Sequence, residues 1–327
     1  MKPAVLAATL LTLGAPAAAQ TVTFDLINEY PATAISGEAD AFFADAVKRR
    51  TDGRVIIRPI PDAKSGLRSR DQLKAVTEGR FAMANSVGGT LGDESPVFFL
   101  SSLPFVTPSV ADARALYEAA RPLYERLFAE RKQKLLYVVP WPPSGIWSAA
   151  PLDSAEALKR LKIRTYDETG TEVLARIAST AALVSFSELT PKLETGDLNA
   201  VLSSGDGGAG RQMWRYLRNF SDVGYALPLS FASMSLAAWD SLDDAGRAAI
   251  AEAARETTER QWAALAGRLK ENFARMRANG VVIDETPPAP VMDALHAAAA
   301  SVVDGWMSRA GPDARAVLEK YREKRAR

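Results

Sequence analysis

A chain of 327 residues with 47% hydrophobic content buries a large core, and at this length it divides into lobes rather than enlarging one core, so two domains are expected. Its 40 basic residues balance 39 acidic ones, which leaves no global field to recruit nucleic acid or an anionic membrane. Cysteine is absent, and with it go disulfides, thiolate metal sites, iron–sulfur clusters and cysteine nucleophiles.

Met1-Lys2, an apolar run from Ala4 to Leu13 and Ala17-Ala18-Ala19 before Gln20 open the chain. A charged start, a short apolar stretch and an A-x-A site read as a secretory signal over residues 1–20, cleaved near Ala19 or Gln20, with the mature chain in the periplasm. The run is too short to cross a bilayer core of about 30 Å. No Cys follows it to carry a lipid anchor.

Thr21 to Ile27 reads as a strand, stopped by the proline of Asn28-Glu29-Tyr30-Pro31. Ala39, Phe42, Phe43, Ala46 and Val47 recur at helical spacing between Ser36 and Arg50, and Asp52-Gly53 ends that helix. A β-branched strand from Arg54 to Ile60, a helix from Arg70 to Glu78 capped by Gly79, and a strand from Phe81 to Asn85 follow. The order β-α-β-α-β predicts a mostly parallel sheet with helices on its faces.

The second half repeats the grammar: strand Leu161–Tyr166, helix Thr169–Ser179, strand Leu183–Phe186, helix Glu188–Thr195, strand Leu198–Ser203. Aligned, "DQLKAVTEGRFAMANS" and "ELTPKLETGDLNAVLS" set Gly79 against Gly196 and Ser86 against Ser203. Turn residues favour Ser and Gly in any α-β unit; the sharper reading is two similarly built lobes, each presenting strand ends to one cleft, where open α/β sheets bind ligands. Ser86 and Ser203 would then face each other across the ligand. Asp243 to Asn279 reads as one helix of about 50 Å, long enough to run along both lobes; a coiled coil is the alternative, without a clean heptad to support it. Pro287-Pro288-Ala289-Pro290 separates it from a final helical region ending in "EKYREKRAR".

The lone histidine, His296, has no companion motif for a zinc site or a Ser-His-Asp triad. Gly205-Asp206-Gly207-Gly208-Ala209-Gly210 matches G-x-G-x-x-G after a strand and before a helical stretch. Export, a position far from the N-terminus and the lack of an acid about twenty residues later weigh against a dinucleotide. Arg164 alternates between Ile163 and Thr165 on its strand; it sits on a solvated edge, pairs with an acid, or turns into the cleft, where its planar fork of donors matches a carboxylate. Trp141, Trp147, Tyr166, Phe186 and Trp214 gather near strand ends and turns.

On "GRVIIRPIPDAKSGLRSRDQLKAVTEGRFAMA", "SSLPFV", "LKRLKIRTY" and "ELTPKLETGDLNAVLSSG" together, the mature chain resembles the solute-binding proteins of TRAP transporters, the dicarboxylate-binding (DctP) family. The resemblance implies an α/β, two-lobed periplasmic-binding-protein fold of type II-like build with a long helix spanning both lobes. It also implies delivery of a ligand to the small and large TRAP membrane subunits, and it places the family's carboxylate-binding arginine on Arg164. The family's common Asn falls on Ser203, and Trp147 stands where many relatives carry a second arginine.

Residues 21–143 and about 228–265 are expected to form one lobe, and 144–227 and about 266–327 the other. The chain is expected to be a receptor for a small organic acid, a monocarboxylate with an apolar or aromatic body, with no catalytic step, no cofactor and no metal. Arg164 is expected to fix the carboxylate, with Ser86, Ser203 and Ser204 hydrogen-bonding, Trp141, Trp147, Tyr166 and Phe186 as walls, and Asn28, Glu29 and Tyr30 lining the near lobe. Two alternatives stay open: a secreted enzyme using Glu29 and Asp206 as acid and base, and a ligand sensor for a membrane receptor.

Overall fold

The computed structural model describes residues 21–326; the expected signal segment lies outside them. The chain begins with β1 (Val22–Asn28), α1 (Ile35–Arg50), β2 (Val55–Ile60), α2 (Ser69–Thr77), β3 (Met83–Val87), α3 (Val110–Glu130) and β4 (Gln133–Pro140). It continues through β5 (Ser144–Ser148), α4 (Ala155–Leu158), β6 (Lys162–Thr165), α5 (Glu168–Leu174), β7 (Thr180–Leu183), α6 (Leu189–Glu194), β8 (Ala200–Ser204), α7 (Gly205–Gly210) and β9 (Asn219–Ser221). The last part holds β10 (Leu229–Ser235), α8 (Leu236–Asp240), α9 (Asp244–Ala278), β11 (Val282–Asp284), α10 (Ala289–Arg309) and α11 (Gly311–Ala326). None of the described helices is long and apolar enough to cross a membrane.

The strands form two sheets, a five-stranded one in the order β2-β1-β3-β10-β4 and a six-stranded one in the order β11-β9-β5-β8-β6-β7. The parallel pairs β1–β2, β1–β3, β6–β7 and β6–β8 are the α-β units read from the sequence. Antiparallel β10 and β5 complete the sheets. The chain passes between sheets from β4 to β5 and returns from β9 to β10, which gives two lobes joined by these crossovers. The helix α9 spans them, packing on α1 and β4 at one end and on α7 and β11 at the other. Asp243 caps its start, accepting a hydrogen bond from the Gly246 N–H at 2.6 Å.

Two expectations shift. The strand expected at Leu183–Phe186 ends at Leu183, and Phe186–Glu188 is a single 3₁₀ turn. The C-terminal helix, expected with the second lobe, packs on α3 of the first: Ala314, Leu318 and Tyr321 share a buried cluster with Leu116, Leu123 and Phe128. α10 sets Val291, Leu295 and Val302 against Ile146, Leu158 and Leu174 of the second lobe, while its Val303 and Trp306 join the first-lobe cluster.

Candidate ligand-binding site

Strand alternation decides which β6 side chains meet the cleft. Ile163 joins the core of the second lobe, and Arg164 turns the other way yet is only 2% exposed. Its Nε donates to the Val184 carbonyl at 2.8 Å and its Nη1 to the Leu202 carbonyl at 3.3 Å, both near the ends of neighbouring strands. These two bonds hold the guanidinium plane; among the described residues no carboxylate forms an ion pair with it. A buried cation in that condition favours an anion brought from outside.

Arg164 lines a cavity with Ser203 and Ser204 from the end of β8, Tyr166 just past β6, and Tyr30 and Val87 from the first lobe. Trp141 and Pro228, from the crossovers, and Ser144, at the start of β5, complete its lining. Its free volume is about 20 Å³, little more than the roughly 10–15 Å³ that one water needs. The lobes are shut on each other here, which leaves no room for a molecule larger than water. A larger cavity, about 390 Å³, lies elsewhere, between Phe105 and the helices α10 and α11, and holds His296 edge-on against Phe105.

The polar groups of the small cavity are chiefly donors. Burial pushes the Tyr30 hydroxyl up to about 12, against the opposing charge of Arg164, and raises Tyr166 well above the ordinary phenol range. Both phenols therefore stay protonated at neutral pH. The Ser144 and Tyr166 hydroxyls lie 3.4 Å apart, and Trp141 Nε1 donates to Ser230 Oγ at 2.8 Å. Ser204 caps α7, its Oγ accepting the Gly207 N–H at 3.2 Å, which leaves the hydroxyl proton free to point into the cavity.

Other expected residues sit outside the cavity lining. Ser86 Oγ lies 2.8 Å from the Gln72 amide, on the face of β3 opposite to Val87; Val87, not Ser86, stands across from Ser203. Trp147 is 0% exposed and lies beneath α7, with its Nε1 donating to the Ser204 carbonyl at 3.2 Å and its ring edge-on to Phe220. It supports the β8–α7 corner from below. Phe186 stands behind the cavity wall, stacked on Tyr30 with ring centroids 4.1 Å apart. Asn28 donates to Asp40 at 2.7 Å and accepts the Tyr30 N–H at 2.9 Å, so it positions Tyr30 from within the first lobe. Trp214 is partly buried against the core.

The carboxylates weighed as an acid–base pair are each occupied. Glu29 accepts the Ser69 N–H at 2.8 Å on one oxygen, and the Ser187 N–H at 2.8 Å and Oγ–H at 2.9 Å on the other. Asp206 accepts the Ile35 N–H at 2.8 Å and Asn272 Nδ2 at 2.9 Å and pairs with Arg268. The literal G-x-G-x-x-G is α7 itself. Its glycines serve close packing: a Cβ at Gly208 would collide with the Trp147 indole, and one at Gly205 would lie 3.2 Å from Met276 Sδ. Sequence reasoning missed Ser144, Val87 and Pro228; the proline-rich "PWPPSG" around Ser144 was a signal that the chain turns there.

Comparison with known proteins agrees with this architecture. The model of the bacterial extracellular solute-binding proteins, family 7 (DctP), matches residues 28–309. A solute-binding protein of Chromohalobacter salexigens is 23% identical over 290 residues, which cover 87% of this chain and 85% of its own. Two Bordetella pertussis extracytoplasmic solute receptors binding pyroglutamic acid superpose with TM-scores of 0.88 and 0.87, each at 26% identity and covering 92% of this chain and 100% of theirs. A TRAP periplasmic solute binding protein of C. salexigens with bound D-glucuronate shares the fold at a TM-score of 0.83 and 19% identity, covering 92% of this chain and 99% of its own. This chain belongs to the bacterial extracellular solute-binding proteins of family 7, the DctP family.

Proposed function

We propose that this receptor works in the periplasm, captures a compact organic monocarboxylate between its lobes and hands it to the membrane subunits of a TRAP transporter. One observation carries the reading: Arg164 is buried, braced by two backbone carbonyls and unpaired with any carboxylate among the described residues. A guanidinium so held presents its remaining N–H groups to a carboxylate as a fork. Hydrogen bonds to a charged group contribute roughly 1.5–3 kcal/mol each. Two of them plus apolar burial bring the affinity to the micromolar range, about −8 kcal/mol.

A single cation argues for a single carboxylate. Arg211 packs over the Phe186 ring and pairs with Asp62 at 3.0 Å, no arginine but Arg164 lines the cavity among the described residues, and Trp147 occupies the core. The other lining groups are hydroxyls, an indole, a valine and a proline, which suit a small body with a few polar atoms rather than a second charge. The pyroglutamate bound by the two Bordetella receptors is of this kind, a carboxylate on a compact lactam ring. In this reading Arg164 holds the carboxylate, Ser144, Tyr166, Ser203 and Ser204 meet the ligand's polar edge, and Tyr30, Val87 and Trp141 cover its apolar face.

Calorimetry against pyroglutamate, other small monocarboxylates, a C4 dicarboxylate and D-glucuronate tests the proposal. Micromolar binding of a monocarboxylate, with the ligand recovered intact by mass spectrometry, is the expected result. Preference for the dicarboxylate or the uronate would overturn the ligand class, and turnover would overturn the receptor.

A further inference from the structure

The Glu29 carboxylate joins the two lobes without touching the cavity. One oxygen holds the Ser69 N–H at the start of α2 in the first lobe, and the other holds both the N–H and the hydroxyl of Ser187 in the second. Glu29 is 2% exposed, so these three donors replace its water. The next residue on each side strengthens the same junction: Tyr30 stacks on Phe186 at 4.1 Å with ring planes 25° apart.

The topology says what opening does to this contact. The chain crosses between lobes at β4–β5, at β9–β10 and along α9, and a rotation that parts the lobes turns about the two short crossovers. In the first sheet β3 separates β1 from β10, and in the second β8 and β6 separate β7 from β5. Glu29 follows β1, and Ser187 follows β7, the strand at the far edge. Both therefore lie on the side of the cleft remote from the crossovers, where rotation moves atoms furthest, and the Glu29–Ser187 bonds exist only when the lobes are shut.

From this we infer that Glu29 is a positioning residue, the catch that holds the closed receptor and sets how slowly it releases ligand. The inference rests on the receptor reading above. Contacts confined to the closed state raise its population whether or not ligand is present, and the apparent affinity rises with that population. Glutamine is the informative replacement. Ser69 and Ser187 each present an N–H to a different oxygen of Glu29; an amide offers one oxygen, so in Glu29→Gln an NH₂ group must face one of the two N–H donors.

The test uses the full mature chain and two readouts. In stopped-flow displacement, E29Q releases pyroglutamate about tenfold faster than wild type, the effect warranted by losing a charge-assisted hydrogen bond, while Ser187→Ala, which keeps the N–H, gives a smaller acceleration. The second readout needs no ligand. The absence of cysteine allows Lys74→Cys and Lys192→Cys, at exposed positions on α2 and α6, to carry a dye pair that reports lobe separation. Ligand-free E29Q shifts toward the longer distance relative to wild type. An unchanged distance distribution together with an unchanged release rate shows that Glu29 merely caps α2 and overturns the inference. If wild type binds no pyroglutamate, the ligand assignment falls and the ligand-free distances still decide the role of Glu29. If E29Q fails to fold because α2 loses its start, Ser187→Ala, which leaves Ser69 bound, decides in its place: no shift in either readout overturns the inference.

Discussion

Arg164 Nε and the Val184 carbonyl lie 2.8 Å apart, so the cation of the cleft is aimed by the backbone of an adjacent strand end rather than by an acidic side chain. Binding and stability therefore separate at this residue. Arg164→Met removes the anchor and abolishes carboxylate binding in calorimetry. It also removes a buried charge that lacks an ionic partner, so the ligand-free protein keeps its stability to within about 1 kcal/mol or gains some. Arg164→Lys keeps the charge and loses the fork and the carbonyl braces; its affinity falls to near that of Arg164→Met. A lysine variant binding like wild type would show that charge alone suffices.

The corner between β8 and α7 depends on glycine where Trp147 lies beneath it. In Gly208→Ala the new methyl meets the indole, and overpacking of this kind costs about 1–3 kcal/mol. Gly267, on the exposed side of α9, has nothing within reach of a Cβ, and Gly267→Ala gains up to about 1 kcal/mol from helix propensity. Urea denaturation of the two variants gives shifts of opposite sign if the packing is as described.

The repeated α-β units and the long α9 were legible because each rests on local pattern, helical spacing and an unbroken run of helix formers; strand alternation alone left Arg164 between an edge, an ion pair and the cleft, and only the family resemblance singled it out. What stayed hidden depends on register and on distant partners. The cavity takes Val87 instead of Ser86 because a one-residue shift in where a strand ends exchanges its two faces. Trp147 looked like a wall because an aromatic near a strand end gives no sign of which side it takes, and α7 covers it from above. Glu29 and Asp206 looked like free carboxylates because their donors Ser187 and Ile35 lie 158 and 171 residues away. The C-terminal helix returns to α3 across the molecule, a contact with no local signature.

Asp206 also marks where one substitution does disproportionate damage. Its side chain is 0% exposed and that of Arg268 13%, and Arg268 further pairs with Glu38 at 2.9 Å. Arg268→Ala strands a buried carboxylate and costs about 3–5 kcal/mol, while removing both partners costs less than the sum of the single losses. A double-mutant cycle by thermal or urea unfolding measures the coupling. Additive losses would mean that Asn272 and the Ile35 N–H satisfy Asp206 without the arginine.

Asp167 gives the receptor a pH response. It follows β6 in the second lobe and caps α5, its Oδ1 accepting the Gly170 N–H at 2.8 Å and the Thr169 hydroxyl at 3.0 Å. Its Oδ2 is buried beside the Ser102 hydroxyl of the first lobe and faces Gly89 so closely that a side chain there would collide with it. Burial pushes this carboxyl up to about 6, against the Gly170 N–H, the Thr169 and Ser102 hydroxyls and the charge of Arg164, which lower it. Parting the lobes hydrates Oδ2 and returns the group toward its ordinary value of 3.8. The closed form therefore holds more proton than the open form between about pH 4 and 6, and closure is favoured as pH falls through 6. A ligand carboxylate with a pKa of about 3.5 stays ionised over most of this window, so the proton taken up belongs to the protein. Calorimetry at pH 5.5 in buffers of different ionisation enthalpy should register net proton uptake on binding, with affinity rising as pH falls from 7 to 5. Asp167→Asn removes that response. Glu168, beside it, is also raised, by burial and by Asp93, and uptake surviving in Asp167→Asn would assign the proton to that pair instead.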